Sequence, residues 1–306
     1  MKNQYWEKIG LILKPIRQIG WMKSHVSVPV VEQIKDQDYK MYFCSRDENN
    51  RNQIGYATFN INNIRETLKV NAEPILKYGE LGTFDDNGVT PTWVENVGKN
   101  KFLFYVGWNQ GVTVRMHLHV GLAVSSDNGK TFKRYSKSPI LERNSIDPFL
   151  TATLSILKEK NIYKMWYVSG DGWFKKNNET FPLYNIKYAT SKDCVSWVRK
   201  GKICIDYKNR FEHAIARPIV FKENGIYKMW FSYKGNHYKI GYAESLNGKD
   251  WERNDSVIKF KKNNSDYDNI MQGYPFVVNT KDNLYLFYNG NNYGEEGICL
   301  ATLNKS

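Results

Sequence analysis

One five-residue phrase recurs five times along this chain, and that recurrence constrains the fold more than any other feature. Tyr39-Lys-Met-Tyr-Phe43, Lys101-Phe-Leu-Phe-Tyr105, Tyr163-Lys-Met-Trp-Tyr167, Tyr227-Lys-Met-Trp-Phe231 and Leu284-Tyr-Leu-Phe-Tyr288 are each followed by a turn-rich stretch. A second phrase then follows: Ile54-Gly-Tyr-Ala-Thr58, Val120-Gly-Leu-Ala-Val124, Ile186-Lys-Tyr-Ala-Thr190, Ile240-Gly-Tyr-Ala-Glu244 and Ile298-Cys-Leu-Ala-Thr302. Before each copy a proline opens an apolar run, at Pro29, Pro91, Pro148, Pro218 and Pro275. Fixed-period self-similarity marks a repeat architecture.

The phrases are rich in Tyr, Trp, Phe, Ile and Val and are bounded by Asn, Gly, Asp and Lys, so they read as strands. Proline is tolerated at the start of a strand, where its missing N–H need not join the ladder. Thr131-Phe132-Lys133, Ser196-Trp197-Val198 and Asp250-Trp251-Glu252 mark a fourth strand in the middle copies. Five units of about four antiparallel strands predict an all-β, five-bladed β-propeller. The last copy ends at its third strand, so Ile9-Gly-Leu-Ile-Leu13 is expected to supply the missing outer strand and close the ring. Residues 1–306 then form a single domain. Ser125-Ser-Asp127-Asn-Gly129-Lys-Thr131-Phe132 resembles the Asp-box turn of sialidase-type propellers, a structural motif, with decayed copies at Ser191–Trp197 and Ser245–Trp251.

Composition narrows the partners. Nine Trp, 21 Tyr and 15 Phe exclude a disordered chain. The net charge of +13 favours an anionic partner. Its lysines are spread along the whole chain with no dense basic tract, which argues against nucleic acid. No run of 18 apolar residues spans a membrane, and Met1–Pro15 has no signal-peptide core. Cys44, Cys194, Cys204 and Cys299 are scattered without a CxxC pair, so a reduced, cytoplasmic setting is expected. No cofactor is called for, and no HExxH context supports a metal.

In a propeller the innermost strands start near the axis at one face, so the segments before the prolines should converge there. They contain His25, Asp85, Asp86, Asp147, Glu212, His213, Arg217, Asp266, Asp268, Gln272 and Tyr274. Trp108, Trp173, Tyr233 and Tyr293 add aromatics to the same rim. Carboxylates ringed by Trp and Tyr suit sugar recognition, and acids sharing a site shift one another's pKa toward general-acid work. Structural alternatives stand beside each residue. Asp147-Pro148 and Asp85-Asp86-Asn87-Gly88 are turn strings in their own right. Glu212, His213 and Arg217 could form a polar network between blades, His25 could be structural, and Asp268 could belong to a solvated loop. His117 and His119 are expected to face solvent.

The whole chain resembles the five-bladed propeller glycosidases: the arabinanase, xylosidase, invertase and levansucrase superfamily and the related mannoside phosphorylases. Ile146-Asp147-Pro148 is similar to their Asp-Pro signature, which implies that Asp147 modulates the acid. Glu212 falls in the blade that supplies the family's general acid. The first blade departs from the pattern, with His25-Val-Ser27-Val-Pro29 and no carboxylate. Asp85 and Asp86 are therefore alternatives for the acid or base. Phe84-Asp-Asp-Asn-Gly-Val89 and Tyr105-Val-Gly-Trp108 resemble glycosidase-like propellers found with surface-polysaccharide genes.

The expectation is a carbohydrate-active enzyme cleaving or transferring at a glycosidic or glycosyl-phosphate bond. Asp86, Asp147 and Glu212 would be catalytic. His25, Asp85, Trp108, Trp173, His213, Arg217, Tyr233, Asp268, Gln272 and Tyr274 would bind a carbohydrate, sugar phosphate or sugar nucleotide. The competing class is a propeller that binds a glycan or sugar phosphate without cleaving it.

Overall fold

The repeated phrases become strands because alternate side chains bury against neighbouring layers while Asn, Gly and Asp reverse the chain between them. The computed structural model describes residues 5–261 and 265–305. Apart from strands, the described residues hold only short helical turns at Ile64–Thr67, Asp255–Val257 and Asn291–Gly294.

After β1 (Glu7–Leu13), the chain runs through successive antiparallel meanders. The first comprises β2 (Ser24–Lys35), β3 (Asp38–Arg46), β4 (Asn52–Asn60) and β5 (Lys69–Val70). The second comprises β6 (Val89–Val97), β7 (Asn100–Gln110), β8 (Met116–Ser125) and β9 (Lys133–Arg134). β10 (Thr151–Glu159), β11 (Ile162–Lys176), β12 (Glu179–Ser191) and β13 (Val198–Ile205) make the third. It is linked to β14 (Ala214–Glu223), β15 (Ile226–Lys234), β16 (Tyr238–Ser245) and β17 (Glu252–Arg253) by one parallel bridge, Tyr184 to Ala214. The last sheet is ordered β1, β20 (Ile298–Asn304), β19 (Asn283–Asn289), β18 (Gly273–Asn279). The N-terminal segment thus supplies its outer strand, antiparallel to β20.

Register explains the phrases. Met41, Met165 and Met229 are fully buried and face Ala57, Ala189 and Ala243, so a long thioether fills the space above a methyl group. The turn after the third strand repeats as well. Asp127 accepts the N–H groups of Lys130 and Thr131 while Gly129 takes a φ of 75°. Asp193 and Asn247 make the same kind of turn with Ser191 and Ser245.

The first strands kink at a bulge. Val28, Arg217 and Tyr274 have φ of 56°, 54° and 55°, each just before a proline. Pro148 is an exception to the proline series and corrects the sequence reading, because it lies in a loop ahead of β10. Ile219 faces Trp230 and Ser155 faces Trp166, so Leu154 holds the place that Pro218 holds in the next meander. In each meander the start of the first strand and the hairpin between the second and third lie at one end. The candidate site is at that end.

Candidate functional site

Four of the loops leading into first strands carry a buried acid, and side chains of the same sheet hold each one. Asp85 accepts from Tyr105 Oη at 3.0 Å and Arg134 Nε at 2.8 Å. Asp147 accepts from Tyr167 Oη at 3.0 Å, Ser169 Oγ at 2.6 Å and Arg199 Nη1 at 2.8 Å, with Lys187 Nζ at 3.3 Å. Asp268 accepts from Tyr288 Oη at 2.6 Å and pairs with Lys8 at 2.8 Å. Glu212 accepts from Arg253 Nη1 and Nη2, at 2.8 and 2.9 Å. Arg134, Arg199, Arg253 and Lys8 stand opposite Ala123, Ala189, Ala243 and Ala301, so each cation occupies the same place on its outer strand. These are latches that tie each incoming loop to the outer edge of its sheet.

The first meander lacks a latch. Val70 stands opposite Ala57, and Trp21 fills the space instead. Its indole lies 5.6 Å from the Phe43 ring and donates to Ala72 O at 2.9 Å. Gly55 follows from this packing, because a Cβ there would lie 2.1 Å from the Trp21 ring.

At the same end opens a cavity of about 430 Å³, within the size range of small-molecule sites. Trp108, Phe181, Tyr184, Tyr238, Tyr274 and Tyr293 supply its aromatic wall. Asn52, Asn87, Asn109 and Gln110 add amides, and Ser27, Thr90 and Thr153 add hydroxyls. Trp108 Nε1 and Asn52 Nδ2 donate to Thr90 Oγ1 at 3.0 and 3.2 Å, and Asn52 Oδ1 is a buried acceptor without a protein partner among the described residues. Lys234 Nζ donates to Tyr293 Oη at 2.9 Å, and the hydroxyls of Tyr184 and Tyr238 bond each other.

The charged residues on this wall are all basic: Arg46, Arg115, Lys234 and the titratable His213, with no Asp or Glu among the lining residues. His213 is held below the usual histidine range, by burial first and then by Lys234. The hairpin of β11 and β12 extends beyond a bulge between Gly170 and Gly172 and overhangs this basic side. Its Phe174 and Phe181 stack at 5.4 Å, and His213 packs edge-on against both.

Among the sequence candidates, Trp108, His213, Tyr274 and Tyr293 line the cavity. Asp86 stands one side chain behind it, accepting from Asn109 Nδ2 at 2.9 Å. Asp85, Asp147, Glu212 and Asp268 are in the latches. Arg217 is fully buried beneath the floor, donating to the carbonyls of Thr92 and Pro29, and burial pulls its pKa down to about 9. His25 bonds Ser24 and is lowered to about 4 by burial and then Arg46. Trp173, Tyr233 and Gln272 lie off the wall; Tyr233 packs under Arg253 and Gln272 donates to Asp268 O. His119, expected to face solvent, is half-buried with Nδ1 enclosed and unpartnered among the described residues. Among those residues, no three His, Cys, Asp or Glu side chains gather to hold a metal. No helix there is long and apolar enough to cross a membrane.

Sequence reasoning missed Arg46, Arg115, Lys234, Asn52 and Asn109. The repeat offered a signal for part of the set. Arg46, Trp108 and Lys234 each stand three residues after the last aromatic of their phrase, where the second strand reaches the cavity.

An all-β fold of this kind is found among glycoside hydrolases. A structure described as a glycoside hydrolase matches with a TM-score of 0.78 at 18% identity, covering 98% of this chain and 92% of that one. A structure described as a thermostable family-43 glycoside hydrolase gives 0.65 at 16%, covering 92% and 89%. A structure described under the GH130 family of mannoside phosphorylases, containing glycoside hydrolases that target β-1,2 mannosidic linkages in Candida mannan, gives 0.70 at 15%, covering 98% and 93%. At these identities the likeness is one of fold. No protein-family model matches the chain. The chain belongs to the family of the Mycobacterium tuberculosis proteins named Uncharacterized protein MT1551 and Uncharacterized protein Rv1502. Each is 34% identical over 298 residues, covering 97% of this chain and 99% of the relative.

Proposed function

We propose that this protein is a carbohydrate-active enzyme working at a glycosidic or glycosyl-phosphate bond of a sugar held in the cavity. The scaffold would be a single-domain, five-bladed propeller over residues 1–306, closed by the pairing of β1 with β20. The observation that carries this reading is the cavity wall itself. Six aromatic side chains line it, a surface suited to sugar C–H groups, while Asn52, Asn87, Asn109 and Gln110 supply amides suited to hydroxyls. Its setting would be a cytoplasmic step of surface-glycan biosynthesis, consistent with four free cysteines.

Within this reading Asp86 is the carboxylate placed to catalyse. It reaches the cavity once Asn109 turns away to a substrate hydroxyl, and it can then exchange a proton with the leaving oxygen. Asp147 and Glu212 become positioning residues, because their oxygens are already engaged by Arg199, Lys187 and Arg253. A second reading, a propeller that binds its sugar without cleaving it, is favoured by the lack of any carboxylate on the wall.

A panel of activated glycosides, glycosyl phosphates and sugar nucleotides separates the two. Turnover that Asp86→Asn abolishes, with folding intact, supports the enzyme. Binding that needs Trp108, without turnover of any member, supports the second reading and removes the first.

A further inference from the structure

Every buried acid of the latches has a cation, whereas the cations of the cavity have no acid. Arg46, Arg115 and Lys234 line the wall, and none makes an ion pair among the described residues. Arg217 lies one step below the floor: its N–H donates to Thr153 Oγ1, and Thr153 lines the cavity. It too has no carboxylate partner, and its Nε is unpartnered among the described residues. Arg46 and Lys234 are half-buried and Arg115 stands exposed at the rim, so a concave wall carrying cations and no carboxylate focuses a positive potential that draws an anion from outside.

The basic groups are gathered on one side. His213 N–H donates to Lys234 O at 3.0 Å, which sets the imidazole beside the root of the lysine. The Arg115 guanidinium lies 5.5 Å from the Phe181 ring, and His213 lies 6.5 Å from the same ring. Thr180 Oγ1 accepts the Arg115 backbone N–H at 3.1 Å, so the extended hairpin also fixes where that arginine stands. A monovalent carboxylate needs one arginine; an arginine and a lysine flanking one imidazole suit a group with two negative charges.

Resting on the reading of the cavity as a sugar site, we propose that its ligand is a phosphorylated sugar whose phosphate seats against Arg115, His213 and Lys234 beneath the β11–β12 hairpin. The aromatic wall from Trp108 to Tyr274 then faces the sugar ring. The phosphate belongs to the sugar; a free phosphate bound beside a neutral sugar is the competing source of the same chemistry.

Calorimetric titration of the full chain distinguishes these, using mannose 1-phosphate, glucose 1-phosphate, both free sugars and inorganic phosphate. At least one sugar phosphate should bind about tenfold or more tightly than its free sugar, with affinity falling as salt rises. Arg115→Gln and Lys234→Gln should each cost about tenfold for the sugar phosphate and under twofold for the free sugar. Lys202→Gln, at an exposed pair with Asp250, should change neither. Thermal melts confirm that each variant is folded. A free sugar that binds as well as its phosphate, unaffected by either substitution, overturns the inference and leaves the carbohydrate reading standing. Inorganic phosphate that binds as tightly as the sugar phosphate, and together with a free sugar, overturns the assignment of the phosphate to the sugar. Failure of every probe to bind the folded wild type removes both the inference and the reading beneath it.

Discussion

The latches and the cavity lie at the same end of the sheets and use the same residue types in opposite ways. In the latches a buried carboxylate meets a cation and, in three of four cases, a tyrosine hydroxyl. In the cavity, arginine and lysine stand on an aromatic wall with no carboxylate among the lining residues. Neutralised charge holds a loop in place and is spent on structure. Charge left without a partner beside a cavity is available to a ligand. A buried acid paired with a cation before a first strand is therefore a marker of architecture in this protein, whereas basic side chains at the feet of second strands line the cavity.

Breaking a latch tests that division most severely. Asp147→Ala leaves Arg199 and Lys187 facing a buried space, and removal of one partner from a buried pair costs about 3–5 kcal/mol. Denaturant unfolding should show this loss. Asp86→Asn, whose carboxylate accepts from the Gly82 N–H and the Asn109 amide rather than from a cation, should lose far less. Equal losses for the two would erase the distinction between latch and site. A smaller effect follows from Tyr288→Phe, which deletes one donor to the Asp268 carboxylate and leaves Lys8 in place. A hydrogen bond to a charged group contributes about 1.5–3 kcal/mol, and the drop in unfolding free energy should fall in that range. No change would mean that Lys8 and the Ser265 hydroxyl hold the loop without the tyrosine.

Much of this was legible in the residues. The two phrases mark the second and third strands, and the strand-forming Ile9–Leu13 segment pairs where the last copy lacked a partner. Pro148 misled because proline suits both a strand start and a loop, and only the pairing of Ser155 with Trp166 shows that Leu154 is the equivalent residue. The acids were visible, but their role depended on a relation across each meander. Tyr105, Tyr167 and Tyr288 each follow their Asp by 20 residues, whereas Phe43 has Lys23 at that distance and Phe231 has Phe211. Tyrosine thus appears where an aspartate needs a donor. The basic wall was harder to see, since Arg115 comes from a hairpin tip whose place is set by contact with a hairpin of another meander.

The first meander, with no latch acid, sharpens the comparison through its response to pH. His25 stands two residues after Lys23, and its pKa is lowered to about 4 by burial and by Arg46, with Glu295 pulling weakly the other way. The unfolded chain takes up a proton near pH 6.5, so between pH 6.5 and 4 the unfolded state binds more protons than the folded one. Stability contributed by the neutral ring is therefore present above pH 6.5 and is lost as pH falls toward 4. With the ring half-exposed, the loss should be roughly 1–2 kcal/mol after solvent screening. His119, also lowered to about 4, adds a loss in the same window, so the His25→Gln variant isolates the contribution of His25 as the difference between two unfolding curves. If both proteins lose stability in parallel across that range, burial and Arg46 do not hold the His25 imidazole below its ordinary pKa in the latch-free meander.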